Sequence, residues 1–254
     1  MAKETKGKEA PQTAAAAYDW SQTGVTGLEN VSREDLGVPF LGIVQKGSPE
    51  FDKTHKNYPD KKIVGCDVGD IFNTATREVL YKAGSNEPLI VVPCGFEKMF
   101  NEWKPRDKGG GMVKVHTNAN ILTECTRNEK GQDVLRSGNL IVTTGYFYCL
   151  ILPDRAPVMI GFTSTQLKKV RTWLGIIMAQ KRNGRPMPMF AHSYAITTKP
   201  ESNDKGSWYG WNIEKLEELT DPNVITDAIQ ASKNANAAKH TALPPAGGDS
   251  DLPM

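Results

Sequence analysis

A chain of 254 residues with 31 Lys+Arg against 29 Asp+Glu has a formal net charge of only +2, which excludes a uniformly basic protein and makes charge placement the informative quantity. A hydrophobic fraction of 39%, with no apolar run of membrane-spanning length, excludes a helical membrane protein and leaves enough core for one well-buried domain. Four cysteines (Cys66, Cys94, Cys125, Cys149) show no Cys-x-x-Cys spacing, and no signal-like apolar segment opens the sequence. Reduced thiols in a cytoplasmic protein are therefore expected. No cofactor or metal is expected either, a zinc site built with His55, His116 or His192 being set aside.

Residues 1–23 read as a disordered arm, 24–231 as a single domain and 232–254 as a flexible linker with an acidic tip. The first strand is expected over residues 38–45, ended by Gly47-Ser48-Pro49. A short hairpin follows at Ile71-Phe72 and Glu78-Val79-Leu80, and the β-branched run 88–93 predicts a buried strand. Residues 96–116 place Phe96, Phe100 and Trp103 before Lys104, Arg106 and Lys108, then Gly109-Gly110-Gly111. That pattern suits either a mobile loop closing over a ligand or a plain hairpin with a flexible tip; no Gly-Lys-Ser/Thr follows, so it is not a P-loop.

Residues 140–152 predict the longest strand, with Tyr146 and Tyr148 on one face and Phe147 and Cys149 on the other. One face must be core, which leaves at most one aromatic set for a ligand. Residues 158–162 pair back after Pro153-Asp154. A capping-box spacing, Thr163 with Gln166, opens a helix expected to run to about Asn183 and to stop at Gly184 and Pro186. Its apolar stripe is Leu167, Val170, Leu174, Ile177 and Met178, which places Trp173 off the core face beside Lys169. Strands over 189–198 and 206–212 follow, the second carrying Trp208, Tyr209 and Trp211. Asp221 then caps a short helix with Pro222 at its first position.

One feature cuts across these elements. From Arg155 to Lys199 there is no acidic residue, where the average content of the chain would give about five. Arg155, Lys168, Lys169, Arg171, Lys181, Arg182, Arg185 and Lys199 stand in that gap, interleaved with aromatics. Basic side chains attract phosphates, and aromatic faces stack unpaired bases. A solvated helix whose acidic partners come from elsewhere in the fold is the competing explanation.

The C-terminal residues Asp249, Asp251, Leu252, Pro253 and Met254 resemble the tip of bacterial single-stranded DNA-binding proteins, with fewer aspartates and Met in place of the final Phe. That resemblance implies docking of replication or recombination proteins. The body resembles the single-stranded DNA-binding proteins of tailed bacteriophages. Phe40 to Glu50, Gly69-Asp70-Ile71-Phe72-Asn73-Thr74, Glu102 to Arg106 with the triple glycine, Thr163 to Lys169, and Gly206 to Trp211 carry it. It implies an oligonucleotide-binding (OB) barrel and the cytoplasm of an infected bacterial host as location. The residues themselves indicate a mainly β (α+β) domain with one capped basic helix and a C-terminal helix.

The leading expectation is thus a non-enzymatic, non-sequence-specific binder of single-stranded DNA for phage replication or recombination. Lys104, Arg106, Lys108, Lys168, Lys169, Arg171, Lys181, Arg182 and Arg185 would contact phosphates, and Trp103, Tyr146, Trp173, Tyr209 and Trp211 would stack bases. A phage nuclease or recombination enzyme, for which Asp67 and Asp70 are the nearest carboxylate pair, and a virion or assembly protein are the alternatives.

Overall fold

The computed structural model describes residues 38–204 and 206–237. In chain order they form β1 (Phe40–Ile43), α1 (Tyr58–Lys61), β2 (Ile71–Asn73), β3 (Val79–Tyr81), β4 (Leu89–Trp103), β5 (Met112–His116), β6 (Thr126–Arg127), β7 (Asp133–Val134) and β8 (Leu140–Ile151). The second half adds β9 (Ala156–Thr163), α2 (Leu167–Met178), β10 (Lys181–Arg182), β11 (Arg185–Pro186), β12 (His192–Asn203), β13 (Gly206–Glu218) and α3 (Pro222–Ala237). The chain is mainly β, a mixed sheet curled into a half-barrel with few helices.

The main path of the sheet runs β13-β12-β4-β8-β9-β1-β2-β3, antiparallel except where β1 lies parallel to β9. β4 is its spine and, at fifteen residues, exceeds the strand expected to be longest. It pairs with β8 from Val91 to Trp103, with β12 at its start (Tyr194 opposite Val91) and with β5 near its end (Phe100 opposite His116). Pro93 lacks an N–H for a central ladder, and the register shifts between Pro93 and Gly95, where such a residue is tolerated.

Alternation along β8 follows the expected parity, but neither face is left open. Phe147, Cys149 and Ile151 enter the core beneath α2 with Phe162, Tyr194 and Trp211. Leu150 packs on the opposite face with Val224 and Ala228 of α3, and Tyr146 and Tyr148 do so with Met99 and Ala235. The sheet is a middle layer with a helix on each side, so both aromatic sets are core.

α3 starts as expected, the Asp221 carboxylate accepting from the Asn223 N–H at 2.8 Å. It then continues through residues 232–237, which the sequence pattern assigns to the linker. Ala235 is the reason. A Cβ added at Gly95 would stand 2.7 Å from the Ala235 methyl, so a bare backbone in β4 seats the last turns of α3.

Candidate nucleic-acid interface

α2 differs from its sequence expectation at both ends and in its rotation. Thr163 makes no capping hydrogen bond, and a single 3-10 turn, Ser164–Gln166, leads into the helix. The Gln166 side chain instead ties the helix start to β12 and β13, donating to Glu201 Oε2 at 2.7 Å and accepting from the Trp211 N–H at 3.0 Å. At the other end the helix stops at Met178, because Asn183 and Gly184 both take positive φ (52° and 75°) and turn Lys181–Arg182 back onto Arg185–Pro186. That is the backbone of a two-residue hairpin for which Asn-Gly is the strongest short signal.

The buried face of α2 is Val170, Trp173 and Ile177, rotated toward the indole from the stripe read in the sequence. Trp173 is 0% exposed and Met178 is 74% exposed. The helix buries its largest rigid apolar group and gives up its most flexible one. Trp173 stacks on Phe147 and meets Tyr194 edge-on at 5.4 Å, so it is core and not a platform.

The other aromatic candidates fare similarly. Trp103 is buried at the end of β4. Tyr146 is buried, its hydroxyl accepting from Asn101 Nδ2 at 2.9 Å. Trp211 is buried, donating through Nε1 to the Gly161 carbonyl. Tyr209 alone of the five keeps a partly open ring. Gln45 holds its backbone on both sides, donating to the Tyr209 carbonyl and accepting from its N–H at 2.9 Å each, and the ring lies over Gly69. Stacking by Trp103, Tyr146, Trp173 and Trp211 is thus corrected: hydrophobic burial claims them first.

The cations divide. Three of the eight in the acid-free stretch find acids contributed by distant segments: Arg155 with Asp227 at 3.2 Å, Lys169 with Glu201, and Arg182 with Glu218. Lys169 also donates to the Trp211 carbonyl, making it a clamp between α2 and the β12–β13 pair and removing it from the phosphate contacts. Burial by itself would raise the Glu201 carboxyl, but hydrogen bonds from Lys169 and Gln166, the Lys169 charge and the Trp208 indole outweigh it and hold the group below its ordinary value. Lys168, Arg171, Lys181, Arg185 and Lys199 are exposed and carry no ion pair among the described residues.

Lys168 and Arg171 are neighbours three apart on the outer face of α2, and Lys181 and Arg185 follow on the hairpin that the helix feeds. Lys104 and Lys108 are exposed too, but at the far end of β4. Val170, between Lys168 and Arg171, packs at Gly145, opposite Lys98, so five residues of β4, roughly 17 Å at about 3.3 Å per residue, separate that level of the sheet from Trp103. The side chain of Arg106 and the residues 249–254 lie outside the described residues. The loop after Trp103 is a tight hairpin tip: Gly109, Gly110 and Gly111 all take positive φ, and Lys104 N–H donates to the Gly111 carbonyl at 2.9 Å.

The sequence profile of the Pam3 phage gp34-like protein family matches residues 5–241. The chain belongs to this family. No curated protein and no solved structure matches it. The phage character of the family agrees with the viral side of the resemblance read from the sequence, and its description names no activity.

In this gp34-like protein Asp70, one of the two carboxylates considered for a nuclease centre, serves the turn before β2. It is 1% exposed, accepts from the Asp67 and Ala83 N–H groups at 2.9 and 2.8 Å, and pairs with Lys82 at 2.7 Å. Among the described residues no group of three or more His, Cys, Asp or Glu is placed to hold a metal ion, and no helix is long and apolar enough to cross a membrane. The cysteines are unpaired, and burial pushes the Cys94 thiol up to about 12. The sequence pattern does not single out Gln180, Lys215 or the acids Glu201 and Glu218, which shape the charge of this surface. Only the Asn183-Gly184 pair carries a local signal for the hairpin between them.

Proposed function

We propose that the protein binds single-stranded DNA, without sequence specificity, through the surface formed by the outer face of α2 and the β10–β11 hairpin. One observation carries the reading: Lys168, Arg171, Lys181 and Arg185 are exposed, carry no ion pair among the described residues, and lie on one continuous segment that contains no acid. Four such cations on adjoining elements attract a phosphate backbone by counterion release, with no need of stacking rings. Tyr209 is the one stacking candidate retained. In this reading the curled sheet is an OB-like platform, the protein acts in phage replication or recombination within the infected host, and Asp249, Asp251, Leu252, Pro253 and Met254 dock a protein of that machinery.

The test is binding of oligo-dT and of duplex DNA by the full chain over a range of salt. Affinity for the single strand should fall linearly with log salt, with a slope of roughly −0.7 per phosphate contact. Affinity that is undetectable at low salt, or flat across the range, refutes the proposal.

A further inference from the structure

Between the C-terminal end of α2, the β10–β11 hairpin, the start of β12 and the end of β13 lies a cleft of about 750 Å³, lined by Gln180 and His192 among others. These two side chains are 7% and 8% exposed. Gln180 Nε2 donates to Tyr194 Oη at 2.7 Å, and Oε1 has no partner. Turning the amide over would let Oε1 accept from Tyr194 and leave Nε2 unpartnered instead, so one amide group is orphaned either way. His192 Nδ1 is unpartnered as well. A buried polar group without a partner costs about 1–3 kcal/mol, and native structures retain few of them. Of the four such atoms among the described residues, two belong to side chains that border this one cleft.

The rest of the lining restricts what could satisfy them. Ile176 and Met187 supply apolar wall, and Lys181 and Lys215 supply positive charge. Arg182 and Glu218, also at the cleft, satisfy each other. A simple anion would meet the cations but offers no hydrogen to a carbonyl oxygen. The complementary ligand has flat apolar faces, an edge carrying both donors and acceptors, and a negative group beside it. The volume falls within the range of about 300–1,000 Å³ found for small-molecule sites.

We propose that the cleft receives one unpaired nucleobase of a bound strand, its edge on Gln180 and His192, its faces against Ile176 and Met187, and its phosphate on Lys181 and Lys215. This rests on the single-stranded DNA reading and adds to it a base-contacting site. It also supplies a reason for preferring single strands, because a paired base has its edge engaged already. Burial first, then the charges of Lys215 and Arg182 against that of Glu218, hold the His192 imidazole below its ordinary pKa, so at neutral pH the ring is uncharged and can act as donor or acceptor.

The experiment compares oligo-dC, oligo-dA and an abasic strand of the same number of phosphates, titrated into the full chain and into Gln180→Met and His192→Phe, which preserve bulk. The wild-type protein should bind the base-bearing strands about tenfold or more tightly than the abasic strand, the equivalent of one or two hydrogen bonds. In each variant that preference should fall toward unity while abasic affinity stays unchanged. Equal wild-type affinity for abasic and base-bearing strands overturns the cleft and leaves the electrostatic reading standing. A preference that survives in both variants also overturns it. Failure to bind any strand overturns both readings. The wild-type comparison needs no substitution, so it decides the matter even where a variant misfolds.

Discussion

The indole of Trp173 lies on the ring of Phe147, with centroids 4.0 Å apart and planes 22° from parallel. The contact joins α2 to β8 at the centre of the core, with Phe162 and Tyr194 closing around it. Trp173→Ala should therefore destabilise the fold by about 3–5 kcal/mol through lost burial and the cavity left behind, and Trp173→Phe by clearly less. Urea unfolding followed by circular dichroism measures both. A Trp173→Ala protein of wild-type stability that no longer binds DNA would return the indole to the surface.

The seating of α3 makes a reciprocal prediction. Gly95→Ala places a methyl 2.7 Å from that of Ala235, closer than two carbons can approach, and overpacking of this kind costs about 1–3 kcal/mol. Ala235→Gly should restore much of that loss in the double variant, after its own helix-propensity cost of about 1 kcal/mol. A double-mutant cycle with no coupling between the two positions would show that α3 does not rest on β4 there.

The Lys169–Glu201 contact predicts an acid limb in stability. The Glu201 carboxyl is held below its ordinary value of 4.5 in the folded protein. A depressed acid stabilises the fold fully above its unfolded pKa, and the contribution is lost as pH falls through the folded value. Glu201→Gln should accordingly lower the melting temperature at pH 7, and the gap to wild type should close as pH falls below about 4.5. Thermal melts of both proteins across that range check it, and a gap that is constant with pH would mean that the charge on Glu201 contributes nothing.

Sequence pattern locates the elements more faithfully than it locates their surroundings. The parity of Tyr146, Phe147, Tyr148 and Cys149 is a property of an extended backbone and needs no knowledge of the fold. The Asp221 cap is equally local, lying within two residues of the N–H it accepts from. Whether either face of β8 is open depends on α2 and α3, which arrive from residues 167 and 222, and alternation carries no record of them. The rotation of α2 is illegible for a related reason: several wedges of a short amphipathic helix are apolar enough, and the rings of Phe147, Phe162 and Tyr194 select the one holding Trp173. For the acid-free stretch, both readings of the sequence apply to different residues. Glu201, Glu218 and Asp227 come from beyond it to neutralise Lys169, Arg182 and Arg155, and its other cations carry no ion pair among the described residues.

The exposed cations of α2 and those at the tip of the β4–β5 hairpin are two groups that a single pair of double variants separates. Lys168 and Arg171 sit on α2, and Lys104 and Lys108 flank the tip of the β4–β5 hairpin at the other end of the spine strand. All four are exposed, so charge reversal should leave folding unchanged. A strand that runs from the start of α2 to the β10–β11 hairpin leads away from the second pair, since Val170 packs at Gly145, opposite Lys98, and six residues of β4, roughly 20 Å, separate Lys98 from Lys104. Lys168→Glu with Arg171→Glu should remove two phosphate contacts and flatten the plot of log affinity against log salt by roughly 1.4. Lys104→Glu with Lys108→Glu, which adds the same negative charge to the molecule, should leave that slope unchanged, so net charge alone cannot produce the difference. Anisotropy titrations of oligo-dT at several salt concentrations give both slopes. If instead the Lys104/Lys108 pair flattens the slope and the α2 pair does not, the interface lies at the hairpin tip, and α2 is a solvated helix whose charges only keep the protein soluble.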